Sequence, residues 1–246
     1  MPVRALSELS WTDIQATDRA RVVAILPLGA VEAHGPHLPL GTDVIIAEAM
    51  ARAGADRLAQ RGIQSLLLPS LSYAPAPYAA DFPGTISIDP QAMTSTIQAI
   101  ASSISRHGIR YLALANAHFD PAHVRALRDA THGSDATVIF PDLTRRALAQ
   151  RLTDEFQSGA CHAGRYETSI VMAARPELVH ETLRTALPAN NRSLVEAHAA
   201  GQTTFKAAGG SDAYFGAPAE ASAAEGRESI ATLGAILADA VREAMP

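Results

Sequence analysis

Short apolar runs alternate with segments of helical periodicity along this chain, and that alternation restricts the fold more than any other feature of the sequence. The runs with the length and composition of buried strands cover residues 22–28, 65–68, 110–115 and 136–140. The segments with helical spacing cover residues 6–16, 44–60, 90–107, 124–132, 142–156, 168–174 and 218–244. Because strand–helix–strand units build parallel sheets with helices on both faces, the sequence predicts an α/β fold, a three-layer sandwich with a mostly parallel sheet.

Composition indicates the class of protein. The chain has 246 residues, of which 48% are hydrophobic, enough to bury a full core. No repeat, low-complexity linker or shift of composition divides it, so we expect a single domain over residues 1–246. The net charge of −5 and the scattered Lys and Arg argue against nucleic acid as a partner. One cysteine, Cys161, excludes an internal disulfide, and no apolar run approaches the ~20 residues of a membrane span. We therefore expect a cytoplasmic protein without membrane contact.

The first apolar run leads into a loop crowded with Gly and Pro that carries Glu32, His34, His37 and Asp43. Residues two apart in an extended chain point to the same side, so Glu32 and His34 face one way. A carboxylate and an imidazole on a rigid loop at a strand's end are a common way to hold a divalent metal ion. Any one of these side chains can instead be an ordinary solvated loop residue. Asp43 also stands where a helix begins, so it can be an N-cap, a metal ligand or both.

The third apolar run ends in a second polar loop of the same design, with His118 and Asp120 two residues apart. The carboxyl ends of parallel strands share one edge of a sheet, and ligands bind there. The two loops therefore bring together two imidazoles and three carboxylates: Glu32, His34, Asp43, His118 and Asp120. This set suits a two-metal centre in which one carboxylate bridges ions roughly 3.5–4 Å apart. Mixed imidazole and carboxylate ligands favour Zn, Mn or Fe(II) over Ca or Mg.

Residues 26–43, Leu-Pro-Leu-Gly-Ala-Val-Glu-Ala-His-Gly-Pro-His-Leu-Pro-Leu-Gly-Thr-Asp, resemble the signature of the creatininase family of metal-dependent amidohydrolases. Three more stretches resemble family segments in the same order: Phe-Pro-Gly-Thr-Ile at 82–86, Asn-Ala-His-Phe-Asp at 116–120 and His-Ala-Gly-Arg-Tyr-Glu-Thr-Ser at 162–169. The resemblance implies a three-layer α/β fold with two divalent metal ions, Zn, Mn or Fe. It implies that one ion is held by Glu32, Asp43 and His118. The other would be held by His34, Asp43 and Asp120, with Asp43 as the bridge.

The same resemblance implies a function. A metal-bridging hydroxide would attack the carbonyl of a small amide, in some cases a cyclic one, and the C–N bond would break. His162 matches a residue near the substrate, and His162 or Asp120 would pass the proton to the leaving nitrogen. His37 and Glu167 are expected to hold the ligand side chains in place without binding metal themselves. The family also implies a homo-oligomer, often a hexamer. Two alternatives stay open: a deformylase or small-peptide amidase of the same family, and a metal-binding or scaffold protein without catalysis.

The sequence also departs from the family pattern. Asp120 stands where Glu is usual, which can weaken the second metal site, and Ala117 stands where Gly is usual. The loop of residues 72–83 is rich in Ala and Pro and lacks a Ser-x-Glu-His segment found in many members, so the substrate need not be creatinine. We expect Tyr78, Phe82 and Phe119 to contact the substrate. The loop aromatics, Tyr73 included, can equally anchor the loop to the core.

The remaining reactive residues have simpler interpretations. Cys161 next to His162 suggests a Cys–His nucleophile, but no third orienting group is apparent, and a buried structural cysteine is commoner. The other histidines lie in helical or loop contexts and are expected to be surface or packed residues: His107, His123, His132, His180 and His198.

Overall fold

The computed structural model describes residues 4–245. In this part of the chain, five parallel strands form one sheet in the order β1-β3-β2-β4-β5. The strands are β1 (Arg4–Ala5), β2 (Val22–Leu28), β3 (Gln64–Leu67), β4 (Tyr111–Asn116) and β5 (Thr137–Ile139). The helices are α1 (Trp11–Gln15), α2 (Thr42–Ala59), α3 (Pro90–Arg106), α4 (Pro121–Ala130), α5 (Arg146–Ala149), α6 (Asp154–Ser158), α7 (Arg165–Ala174), α8 (Glu181–Ala186), α9 (Leu194–Ala199) and α10 (Ala223–Ala244). None of the helices in residues 4–245 is long and apolar enough to cross a membrane.

Helices cover both faces of the sheet. Alternate side chains of β2 point to opposite sides, so Val23 and Ile25 pack against α2, α7 and α10. Ala24 and Leu26 pack against α3 and α4 on the other side. The whole of β2 is buried because it lies in the middle of the sheet. The predicted α/β fold, three layers around a parallel sheet, is confirmed.

The order of the strands determines where the polar loops meet. β2 and β4 are hydrogen-bonded neighbours, and Leu28 at the end of β2 lies opposite Asn116 at the end of β4. The loops that follow these two strands therefore leave the sheet side by side, at its carboxyl edge. This is where the sequence predicted a ligand site.

Several boundaries differ from the sequence-based expectations. The predicted helix of residues 142–156 is wrong, since this stretch contains only α5 and α6, separated by a short turn. The carboxylate of Asp142 accepts hydrogen bonds from Arg128 and from Thr144, which keeps residues 142–144 out of a helix. Thr153 caps a new helix by accepting a hydrogen bond from the backbone N–H of Phe156.

Candidate metal centre

The loop after β2 runs directly against the start of α2. At Gly29 a Cβ atom would lie 2.8 Å from Cβ of Asp43 and 2.5 Å from the backbone nitrogen of Val44, so only glycine fits this approach. The N-cap of α2 is Gly41, and Asp43 lies one residue inside the first turn. The N-cap interpretation of Asp43 is therefore wrong. Its carboxylate instead accepts a hydrogen bond from the backbone N–H of Ala30 and faces the imidazoles of the two loops.

Asp43 lies between the two histidines that the sequence singled out. Its Oδ1 is 3.1 Å from Nε2 of His34, and its Oδ2 is 3.0 Å from Nδ1 of His118. All three side chains are buried. One carboxylate thus presents a different oxygen to each imidazole, which is the arrangement that a bridging ligand needs.

Glu32 completes the first half of the cluster. Its Oε1 lies 3.3 Å from Nδ1 of His118 and 3.8 Å from Nδ1 of His162. Its Oε2 is buried and has no hydrogen-bond partner within residues 4–245. Leaving a buried carboxylate oxygen without a partner is costly, and a metal ion would satisfy it. This orphaned oxygen is the observation by which the residues fit a divalent cation.

Glu167, in the first turn of α7, completes the second half. Its Oε2 is 3.6 Å from Nε2 of His34 and accepts a hydrogen bond of 2.6 Å from the backbone N–H of Ala163. Among the described residues, three groups bring metal-ligating atoms within 4.8 Å of one another: Glu32 with Asp43 and His118, His34 with Asp43 and Glu167, and Glu32 with His34 and His162.

Asp120 belongs to none of these groups. It is the N-cap of α4, and its carboxylate accepts hydrogen bonds from the backbone N–H groups of Ala122 (2.8 Å) and Tyr78 (3.3 Å). The Asp120 side chain, one methylene shorter than Glu, is held by these hydrogen bonds at the start of α4. The position expected for Asp120 next to His34 and Asp43 is taken by Glu167, which the sequence had assigned only a supporting role. Its membership in the matched block of residues 162–169 was the available signal.

Each imidazole of the cluster is oriented by a backbone carbonyl. One ring nitrogen of His34, of His118 and of His162 lies 3.1, 2.8 and 2.9 Å from the carbonyl oxygens of Glu32, Pro75 and Ala33. The other nitrogen of each ring is left facing the carboxylates. Such a hydrogen bond fixes both the tautomer and the ring plane of a metal ligand.

The cluster has strong internal electrostatics. Burial disfavours a charged His34, but the carboxylates of Asp43, Glu167 and Glu32 outweigh it and raise its pKa to about 10. Burial raises the pKa of Glu167 to about 8. Burial, helped by the neighbouring His34, holds the pKa of His162 well below its usual value. The buried carboxylates thus favour a cation, and a divalent ion would displace the protons of His34 and Glu167.

Two further buried histidines lie next to the cluster. His37 is buried, with its Nε2 2.9 Å from Oγ1 of Thr168, which links the first loop to α7. His123 is buried as well, 4.8 Å from the His118 ring, and its Nε2 lies 2.8 Å from Oδ1 of Asn116. The sequence predicted a surface or packed residue here, and His123 is packed. Its contact with the His118 ring was not predicted, although its place on α4, one turn after Asp120, could have indicated it.

A cavity of about 460 Å³ opens onto the cluster. Of the three aromatic residues predicted to contact the substrate, Tyr78 and Phe119 line this cavity, whereas Phe82 does not and packs under Nζ of Lys206. The hydroxyl of Tyr78 bonds to the carbonyl of Gln202 and lies 2.8 Å from Nδ1 of His198. Tyr78 therefore both lines the cavity and ties down the segment around α9.

Tyr73 and Cys161 have no part in the cluster. Tyr73 is exposed, so it neither anchors its loop in the core nor lines this cavity. Cys161 lines the cavity, but burial raises the pKa of its thiol well above the usual value. A thiol that resists ionisation is a poor nucleophile, which favours the structural interpretation.

Known proteins resemble the chain over most of its length. The creatininase family model, described as creatinine amidohydrolase, matches residues 7–241. A creatinine amidohydrolase of Pseudomonas putida is 32% identical over 194 residues, which cover 71% of this chain and 73% of that protein. A mycofactocin precursor peptide peptidase of Mycobacterium ulcerans (strain Agy99) is 33% identical over 214 residues, which cover 85% and 80% of the two chains.

Solved structures show the same fold over the whole chain. A creatininase variant of Zn–Zn type is 26% identical, with a TM-score of 0.75 and full coverage of both chains. A creatininase structure with Mn is also 26% identical, with a TM-score of 0.73 and full coverage of both chains. Together with the His, Asp and Glu groups described above, these structures indicate a site for divalent metal.

Proposed function

The chain belongs to the creatininase family, and from that premise we propose that it hydrolyses the C–N bond of a small amide at a centre of two divalent metal ions. As a member of this family it is a hydrolase of C–N bonds, related both to a creatinine amidohydrolase and to a peptide peptidase. The observation that carries the two-metal proposal is Asp43, which offers one oxygen to His34 and the other to His118.

We assign the ligands by their positions around Asp43. Glu32, Asp43 and His118 would hold one ion, and the orphaned Oε2 of Glu32 supports that assignment. His34, Asp43 and Glu167 would hold the other. Glu167 replaces the Asp120 of the sequence-based set because the Asp120 carboxylate is engaged by backbone N–H groups at the start of α4.

Divalent ions in such a site supply an activated water at neutral pH and polarise the carbonyl under attack. The donor set of imidazoles and carboxylates suits Zn or Mn, the two metals that occur in the structurally similar creatininases. The protein's own contribution is to fix the ligands and to bury them, which strengthens every charge interaction with the substrate.

We propose His162 as the group that moves the proton to the leaving nitrogen. Its low pKa leaves the ring uncharged at rest, and it makes the protonated ring a strong acid that gives its proton up readily to a leaving nitrogen. Its Nε2 is held by the carbonyl of Ala33, its Nδ1 faces Glu32, and the residue lines the cavity. Asp120 is proposed for a positioning role instead, since it joins the loop of Tyr78 to the start of α4.

The size of the cavity supports a small substrate. A volume of about 460 Å³ lies at the lower end of pockets for small molecules, and the lining includes four aromatic side chains: Tyr78, Phe119, Phe156 and Phe205. A small amide, cyclic or open, therefore remains the first proposal. Cleavage of a short peptide is the second, because a relative 33% identical over 85% of this chain is a peptide peptidase.

Metal content and turnover test the proposal together. We expect about two ions per chain by elemental analysis, and hydrolysis of at least one member of a panel of creatinine, lactams and short peptides. Absence of bound metal after addition of Zn or Mn would overturn the hydrolase mechanism. Two ions without turnover on any amide would favour a metal-binding or scaffold protein.

We further propose that the protein is cytoplasmic and forms a homo-oligomer, with a hexamer as the assembly that the family resemblance implies. A single cysteine fits a reducing compartment. Size-exclusion chromatography with light scattering measures the assembly directly, and a monomeric mass would contradict this proposal.

A further inference from the structure

Arg125 lines a part of the cavity beyond the cluster of carboxylates and imidazoles. It lies on the exposed side of α4 and lines the same cavity as Glu32, His118 and His162. Its guanidinium forms no ion pair with any carboxylate in residues 4–245. At the cluster, the imidazoles of His34 and His118 face three carboxylates: Glu32, Asp43 and Glu167. Arg125 is therefore a free cation in a cavity that holds the reaction site.

The neighbouring Arg128 lines the same cavity but forms an ion pair with Asp142. It lies one turn further along α4 and also lines the cavity. Its Nε and Nη2 donate to Oδ2 of Asp142 at 2.9 and 2.7 Å, and its Nη2 also donates to Oγ1 of Thr144. Arg128 thus stabilises the turn before α5, whereas Arg125 is available to a ligand.

The helix sets the spacing between Arg125 and Asp120, which comes two residues after His118 of the cluster. Asp120 caps α4 beside the cluster, and Arg125 follows five residues later, about 7.5 Å along the helix axis. The wall near this stretch includes Phe119 and Phe156, whose rings pack edge to face. An amide whose carbonyl lies at the cluster would cross this apolar stretch and place its far end near the guanidinium.

We propose that Arg125 binds an anionic group of the substrate, and that the substrate is an amide carrying a carboxylate separate from the C–N bond that breaks. This inference rests on the proposed hydrolase function. Arginine suits the task because its planar guanidinium binds a carboxylate through two parallel hydrogen bonds. The carboxylate fixes which end of the substrate enters first and so places the amide at the cluster.

N-benzoylglycine and its methyl ester test this inference, since they differ only in the negative charge. Water adds to the benzoyl carbonyl and the amide C–N bond breaks, which releases benzoate and glycine or its ester. In the metal-loaded enzyme we expect kcat/KM to be about tenfold higher for the carboxylate, mainly through KM, because a charged hydrogen bond is lost with the ester. In Arg125→Met, which keeps the apolar stem, the ratio should fall to near one.

Arg110→Met is the matched control. Arg110 is also exposed, but it lies just before β4, at the opposite edge of the sheet. The control should keep the tenfold preference. Calorimetry with the same two compounds measures binding independently of turnover. If amides are hydrolysed but Arg125→Met keeps the preference, or both compounds bind wild type equally, this inference is overturned while the hydrolase proposal stands. If the carboxylate binds through Arg125 and no amide is cleaved, the hydrolase proposal fails instead.

Discussion

Glu167 and Asp120 are two buried carboxylates with different neighbours, and we expect only Glu167 to bind a metal ion. Glu167 faces His34 across 3.6 Å, whereas Asp120 accepts hydrogen bonds from backbone N–H groups. Glu167→Gln should therefore reduce the metal content from about two ions per chain to about one, since an amide is a weaker ligand than a carboxylate. Asp120→Asn should retain both ions, because Asn is as good an N-cap as Asp. Elemental analysis of both variants checks this.

The two variants control for each other, since both exchange one carboxylate oxygen for nitrogen at a buried position. If Asp120→Asn lost an ion while Glu167→Gln kept both, the ligand set expected from the sequence would be correct. The assignment made from the geometry would then be wrong.

His162 is the residue for which catalysis and metal binding must be separated. Its Nδ1 faces Glu32 at 3.8 Å, and its low pKa keeps the ring uncharged and makes the protonated ring a ready proton donor. His162→Gln should lower kcat by roughly 10²- to 10⁴-fold, the usual contribution of a general acid–base, while metal content stays the same. Steady-state kinetics and elemental analysis on one preparation measure both. Loss of an ion together with activity would identify His162 as a ligand.

Local sequence patterns determined the strands more closely than the helices. The run of residues 22–28 is β2 to the residue, because a central parallel strand is buried on both faces and therefore apolar throughout. β1 was missed because two residues carry no periodicity. The local pattern of residues 142–156 predicts a helix, but the ion pair between Asp142 and Arg128 of α4 outweighs this local helix preference. Such a tertiary contact cannot be read from the stretch itself.

In the candidate site, too, some residues could be predicted from local sequence and one could not. Glu32, His34, Asp43 and His118 could be predicted as a group because they follow two strands of a parallel sheet, whose carboxyl ends share one edge. The place of Glu167 depends instead on long-range contacts, such as the bond between His37 and Thr168, that hold α7 against the first loop. No local pattern contains that information.

The turn between β5 and α5 should depend on Asp142, which accepts hydrogen bonds from Arg128, Thr144 and Arg145. Burial alone would raise its pKa, but the bonds from Thr144 and Arg128 outweigh it and lower the pKa from 3.8. Asp142→Asn should therefore cost about 1 kcal/mol in the free energy of unfolding of the metal-free protein at neutral pH.

The pH dependence of this effect has a definite sign. A carboxylate whose pKa is lower in the folded state stabilises the fold above its unfolded pKa, and this stabilisation is lost as the pH falls through the folded value. The difference between wild type and Asp142→Asn in urea unfolding should thus be constant above about pH 5 and shrink below pH 3.8. A difference that grew on acidification would contradict the proposed pairing.

Metal binding should couple the cluster to the stability of the whole molecule, because the proposed ligands come from the loops after β2 and β4 and from α2 and α7. A metal at 100 times its dissociation constant stabilises the folded state by about 2.7 kcal/mol. For a chain of this length, that corresponds to a rise of roughly 5–10 °C in Tm. Chelation should reverse this rise, and readdition of Zn or Mn should restore it.

The size of that rise should depend on pH, because protons and metal compete for the same atoms. His34, with a pKa of about 10, and Glu167, with a pKa of about 8, must lose their protons before they can bind a metal ion. At a fixed free metal concentration, the gain in Tm should therefore be larger near about pH 8.5 than near about pH 6. Calorimetry in buffers of different ionisation enthalpy should show protons released on binding. His34→Gln, which has no proton to lose, should bind metal more weakly and release fewer protons. Equal release in both proteins would mean that the proton displaced by the metal does not come from His34.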